Sequence, residues 1–247
     1  MHDKPIIRST STLLAEIPRL AATLEVQIDP VADVIEEAYS GDRQIFTIGN
    51  GGSASNATHF AQDLVKATVT DSLTRRIRAT ALTDNIAHLT ALANDLAYAW
   101  VFEQQLRTFG RKGDVLIAFS GSGNSPNITM AADYARSLAG IRVVAFTGFD
   151  GGKLKAQADV NLHVPCTDMG VVESMHALAF HLVVTELRER LRGPVADVAR
   201  CRGCGAGYVN GQVNHEGTCP ERRLYPTGAE QDAMRRVEAE LRDRKST

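Results

Sequence analysis

Ile45-Phe-Thr-Ile-Gly-Asn-Gly-Gly-Ser53 decides the fold. Its apolar half, Ile45 to Gly49, is too short for a helix and reads as a buried strand. Gly49-Asn-Gly-Gly-Ser53 then turns the chain sharply, and Ser53–Ala67 carries a helical pattern. The order strand, glycine turn, helix returns further on. Val115-Leu-Ile-Ala-Phe-Ser120 is followed by Gly-Ser-Gly-Asn-Ser125, with Pro126 near the start of the next helix, where proline is tolerated.

Working outward, Ala79–Thr83, Val143–Gly148 and Val160–Pro165 read as further strands. Taken with Ile45–Gly49 and Val115–Ser120, largely apolar runs such as Val115–Phe119 and Val143–Phe146 are the signature of parallel strands covered on both faces. Asn85–Phe109, Ser125–Leu138 and Gly170–Leu191 read as helices, with Asp84 as the expected N-cap of the first. Two more helices, Thr12–Gln27 and Val31–Tyr39, come before them, and Pro18 is expected to break or kink the first. Alternating strands and helices predict an α/β fold, a doubly wound parallel sheet flanked by helices, over residues 1–192.

The composition agrees with this and removes several classes of function. In 247 residues, 44% are hydrophobic and 23% charged, values of a globular chain of one to two domains. Lys plus Arg number 27 against 29 Asp plus Glu, so no basic excess is present for nucleic acid. No apolar run reaches the roughly 18–20 residues of a membrane helix, and residues 1–10 lack a signal-peptide core. The expectation is a cytoplasmic protein without nucleic-acid or membrane partners.

After Arg192 the character changes, and residues 193–247 read as a separate extension. Gly193-Pro194 ends the last long helix, and three of the four cysteines fall here. Cys201-x-x-Cys204, His215 and Cys219 form a Cys₃His set with the spacing of a closed, structural Zn²⁺ knuckle. A redox Cys-x-x-Cys pair and plain thiols are the rivals. Ala229–Lys245 reads as an amphipathic helix, with Met234, Val237 and Leu241 on one stripe.

The two glycine loops carry the chemistry. A lone Gly-rich turn is often only a turn. Two of them, each opening a helix, supply unpaired N–H groups to an anion, and Ser120, Ser122 and Ser125 add hydroxyls. No Gly-Lys-Ser/Thr follows, and the glycine spacing is not that of a dinucleotide site. A phosphate without a nucleotide points to a sugar phosphate.

With Gly49-Asn-Gly-Gly-Ser-Ala54, His59-Phe-Ala61, Asn94-Asp95, Ser120-Gly-Ser-Gly-Asn-Ser125, Thr147-Gly148, Asp150-Gly-Gly-Lys153 and His181, the chain resembles sugar isomerase (SIS) domains. More narrowly, it resembles phosphoheptose isomerases over about residues 10–192. The resemblance implies conversion of sedoheptulose 7-phosphate to D-glycero-D-manno-heptose 7-phosphate by a homotetramer with sites at subunit interfaces. It implies that Ser53, Ser120, Ser122 and Ser125 hold the phosphate, with Gly51, Gly52 and Gly121 in the binding loops. Asn50 and Asp95 would contact the sugar, and His181 would act as acid/base. The chain departs from the family at three positions: Asp63 stands for a catalytic Glu, Glu173 for a Gln, and Gly170 for an Asp.

Some members of that family bind zinc. His59 and Asp63 are i, i+4 and share a helix face, a spacing more often found in a simple surface pair. With Glu173 and His181 they make a set suited to Zn²⁺ or another divalent metal. Glu173 and His181 lie eight residues apart, about 12 Å of helical rise. Either Glu173 precedes the regular helix, or the two reach the ion from different subunits. Asp63 or Glu173 is the candidate base and His181 its partner. His176 reads as a satisfied helix histidine, and His88 and His163 as structural. The rival class is a non-catalytic SIS protein that binds a replication-initiator-type protein. A third reading is an isomerase or sensor of another sugar phosphate.

Overall fold

The computed structural model describes residues 10–68, 75–191, 208–209 and 212–213. The chain divides into two compact units. Of the described residues, 10–68 and 77–188 fall in the first, which carries the whole of the large sheet.

Helix α1 runs unbroken over Thr10–Ser40, through both Pro18 and Pro30, where two helices with a break were expected. An internal proline costs about 3 kcal/mol. Leu20, Leu24, Ile28, Val31 and Ile35 all bury along one stripe, each such burial contributing about 1.5–3 kcal/mol. Burial therefore outweighs the lost hydrogen bonds. Strand β1 (Gln44–Ile48) leads into α2 (Gly52–Lys66), then β2 (Arg78–Ala81).

The helix expected over Asn85–Phe109 is two helices, α3 (Ile86–Asp95) and α4 (Val101–Phe109), with a 3₁₀ turn at Tyr98–Trp100 between them. Leu96 and Ala97 leave helical dihedrals at the junction. The N-cap of α3 is Asn85, whose side chain accepts the His88 N–H. Asp84 instead accepts the Thr58 hydroxyl at 2.7 Å and ties the end of β2 to α2.

Strand β3 (Val115–Ser120) leads to α5 (Pro126–Tyr134), which continues as one π turn to Ala139. Then come β4 (Arg142–Thr147), α6 (Gly152–Gln157), β5 (Val160–His163) and α7 (Met169–Leu191). Helix α6 is too short to show a period in sequence. Tyr208–Val209 and Gln212–Val213 pair as a small antiparallel hairpin in the second unit. Cys201, Cys204, His215, Cys219 and the helix expected over residues 229–245 lie outside the described residues. Among the described residues, no helix is long and apolar enough to cross a membrane.

All five strands of the large sheet are parallel, in the order β2-β1-β3-β4-β5. Side chains alternate between faces. Phe46, Ile48, Leu116, Ala118, Val143 and Ala145 pack with α4, α5 and Leu154 of α6. On the other face Phe60, Phe119, Phe146 and Phe180 form a ring cluster, with α2 and α7 contributing one phenylalanine each. The chain order reverses between β1 and β3. In such sheets ligands bind in the crevice beyond the carboxyl ends of the strands at this point. Both glycine loops leave the sheet there.

His176 of α7 is fully buried beside Phe119 and Phe146, and its Nε2–H donates to the Thr147 carbonyl at 3.2 Å. Burial holds its pKa down at about 4, against 6.5 for a free imidazole. The folded state therefore stays unprotonated while the unfolded chain takes up a proton below about pH 6.5. Stability is full above that pH and falls with acidification until about pH 4. The loss at pH 5 is about 2 kcal/mol, or roughly 4–8 °C in Tm. Thermal melts at pH 7 and pH 5 should show this drop, with a smaller one in His176→Gln. Equal drops in both proteins would remove His176 as the cause.

Candidate active site

The first loop owes its shape to Gly49, where a Cβ would run into the Ser53 carbonyl and the Ala54 nitrogen. Only a bare Cα lets β1 end so close to the first turn of α2. Gly51, at φ 56°, takes the N-cap position without a side-chain cap. The helix N-terminus, with its partial positive charge, thus lies at the carboxyl end of β1. Ser53 follows, largely buried, within the first turn.

The second loop is braced by its neighbours. Ser120 is buried, and its hydroxyl accepts the Gly123 N–H at 3.1 Å. The Ser122 hydroxyl accepts the Asn124 N–H at 3.3 Å. Ser125 is the N-cap residue of α5, and its hydroxyl makes no capping bond to its own helix. The Gly121 carbonyl accepts the Gly148 N–H, and the Gly123 carbonyl accepts the Leu154 N–H. Asn124 Oδ1 accepts the Lys153 N–H at 3.2 Å. The Asp150-Gly-Gly-Lys153 segment therefore holds the serine loop in place. Ser120 and Ser122 thus stabilise their own turn as acceptors, while each keeps an O–H to donate.

An amide pair joins the loops. Asn50 Nδ2 donates to Asn127 Oδ1 at 2.9 Å, and Asn127 Nδ2 returns a bond to Asn50 Oδ1 at 2.8 Å. The Tyr98 hydroxyl adds a third bond to Asn50 Oδ1 at 2.9 Å. Sequence reasoning found Asn50 and missed Asn127 and Tyr98. An Asn in the first turn of a helix looks like ordinary end chemistry, and nothing in the order of residues shows which distant amide it meets. Asp95, exposed at the end of α3, accepts a bond from the neighbouring Asn94 amide at 2.8 Å.

Helix α2 carries the third component. His59 Nε2 lies 3.5 Å and His181 Nδ1 3.3 Å from Asp63 Oδ2. The two imidazoles are about half exposed, and Asp63 is largely covered. Phe180 packs against both histidine rings and fixes their approach. Two ligands of a tetrahedral zinc, each about 2.0–2.1 Å from it, stand about 3.4 Å apart. The donor set fits such an ion, and one nitrogen or oxygen from each of the three residues lies within 4.8 Å of the others.

Within one chain Glu173 is not brought to that group, which leaves the alternative that it reaches the ion from a different subunit. It lies inside α7, which is continuous from Met169 to Leu191, so it does not precede the regular helix. Its carboxylate presses on Gly52, where a Cβ would clash with it, and its carbonyl accepts the Asn56 amide. The carboxylate thus borders the N-terminus of α2, a favourable place for negative charge.

Residues 10–148 match the SIS domain family. A phosphoheptose isomerase from Clostridium acetobutylicum is 37% identical over 171 residues, covering 69% of this chain and 86% of that one. The chain belongs to the phosphoheptose isomerase family. A family member from Mycobacterium tuberculosis is 39% identical over 164 residues, covering 66% of this chain and 82% of its own. The solved phosphoheptose isomerase from Neisseria gonorrhoeae superposes with a TM-score of 0.66 at 32% identity, over 72% of this chain and 94% of that one. The one from Francisella tularensis gives 0.67 at 26% identity over the same shares.

Proposed function

We infer that the chain is an isomerase of sedoheptulose 7-phosphate, forming D-glycero-D-manno-heptose 7-phosphate. One observation carries the reading: the helix that opens at the glycine loop also presents His59 and Asp63 to His181. From Ser53 to His59 the helix rises about 9 Å, the order of an extended sugar phosphate. Phosphate at the serine loop would direct the carbonyl end toward Asp63.

Isomerisation takes a proton from C1 and returns one to C2, while the hydroxyl hydrogen of O1 passes to O2. Asp63 and His181 are adjacent and suit these transfers, each worth roughly 10²–10⁴-fold. Glu173 is the other candidate base, and its place on Gly52 puts it beside the glycine loop rather than between the histidines. Glu173→Gln, which installs the residue the family carries there, separates the two roles. Retained turnover assigns the proton to Asp63, and loss of it assigns the proton to Glu173. A divalent ion held by His59, Asp63 and His181 would polarise the substrate carbonyl and stabilise the enediolate. Asn50, Ser53, Asp95 and Ser125 position the sugar phosphate.

Ile86, Leu96, Trp100 and Phe109 expose large apolar side chains from the start of α3 to the end of α4. Such a face suits contacts between subunits, and the proposal is a cytoplasmic homotetramer whose subunits complete one another's sites. The extension over residues 193–247 is proposed to hold a structural Zn²⁺ through Cys201, Cys204, His215 and Cys219. Elemental analysis should find one zinc fewer per chain in the Cys201→Ser/Cys204→Ser variant. Equal content, with both thiols freely titratable in the parent, would rule the knuckle out.

Steady-state turnover tests the substrate. The seven-carbon ketose phosphate should be preferred over six- and five-carbon ones by about tenfold or more in kcat/KM. Equal efficiency would shift the assignment to another sugar phosphate.

A further inference from the structure

We propose that Asn127 is a positioning residue for the sugar phosphate, acting through Asn50. Asn127 lies in the first turn of α5 and is only 2% exposed. A buried amide must have its hydrogen bonds met, and this one meets them on Asn50, one bond in each direction. The Tyr98 hydroxyl, itself exposed, takes the remaining acceptor position on Asn50 Oδ1.

The consequence for Asn50 follows by counting. Its Oδ1 receives two donors and is saturated. Its Nδ2 gives one hydrogen to Asn127, so one N–H is left in a half-buried side chain at the mouth of the crevice. Asn50 is thereby set as a donor, and the group it selects is an oxygen acceptor such as a sugar hydroxyl or carbonyl. The pair also spans the switch point, since Asn50 follows β1 and Asn127 follows the serine loop after β3. It locks together the loop that would meet the sugar and the loop that would meet the phosphate.

This inference rests on the crevice being a sugar-phosphate site, and its test separates the two. Calorimetric titration with sedoheptulose 7-phosphate is run on the parent, Asn50→Ala, Asn127→Ala and the double variant, with turnover measured alongside. Asn127→Ala should weaken binding about five- to tenfold, the usual worth of a hydrogen bond or two. In the Asn50→Ala background the same change should cost nothing further in binding, although its effect on Tm persists. Tyr98→Phe, at an exposed position, should cost about two- to fivefold in the parent and nothing beside Asn50→Ala. It keeps the test readable if Asn127→Ala does not fold.

Losses that multiply, or an Asn50→Ala variant that binds like the parent, would overturn the proposal. Turnover accompanied by multiplying losses would leave the isomerase assignment standing without it. Coupled losses without turnover would do the reverse. A parent that does not bind the sugar phosphate overturns both.

Discussion

Asp63→Asn is expected to lower kcat by about 10²–10⁴-fold while the chain still folds. Asparagine keeps the shape of the side chain and removes its charge, so packing around α2 is preserved. What disappears is the carboxylate oxygen that faces His59 Nε2 at 3.5 Å and His181 Nδ1 at 3.3 Å. Without it His181 loses its proton partner, and the two histidines lose the anion that makes the group fit a divalent cation. Metal content should therefore fall together with kcat. Asp63→Glu offers the complementary test. It lengthens the carboxylate arm to the Glu that the resemblance implies there and should keep or raise activity, because a misplacement of about 1 Å can cost roughly 10²-fold. An asparagine variant within threefold of the parent in kcat would remove Asp63 from the chemistry.

Gly49→Ala should be strongly damaging for a single methyl group. Its Cβ would meet the Ser53 carbonyl and the Ala54 nitrogen, which are backbone atoms in the first turn of α2. They cannot move aside without shifting the helix that carries Ser53, His59 and Asp63. Activity should drop by about 10²-fold or more, with a Tm lowered by several degrees or loss of soluble protein. Gly41→Ala is the matched control. A Cβ there meets its nearest neighbour at an ordinary 3.4 Å, so that variant should melt and turn over like the parent. A Gly49→Ala protein with parental kcat/KM would show that the tight entry into α2 is dispensable.

The strands and both loops were legible in sequence because each rests on local chemistry. Val115–Phe119 is apolar throughout, since helices cover both its faces, and with Ser120 it forms the strand with the boundaries expected. Gly49, Gly51 and Gly52 mark a turn that few other residues can make. Local signals failed where distant packing decides. Pro18 reads as a break or kink, and the segment as two helices, yet the buried stripe of α1 carries one helix through Pro18 and Pro30 alike. The break at Leu96–Ala97 falls inside an apolar run and leaves no mark that periodicity detects. At the site, the i, i+4 spacing placed His59 beside Asp63, and the resemblance added His181. Glu173 was grouped with them by family position, whereas the unbroken α7 puts it two turns away, on Gly52. Asn127 gave no signal because its role is defined by a partner 77 positions earlier in the chain.

Nuclear magnetic resonance of sedoheptulose 7-phosphate incubated with the purified, metal-replete protein in deuterated water tests the central claim most directly. A D-glycero-D-manno-heptose 7-phosphate product carrying deuterium at C2 is the expected result, because the proton crosses on a side-chain base that exchanges with solvent. Unchanged substrate in the presence of intact divalent metal would contradict the assignment.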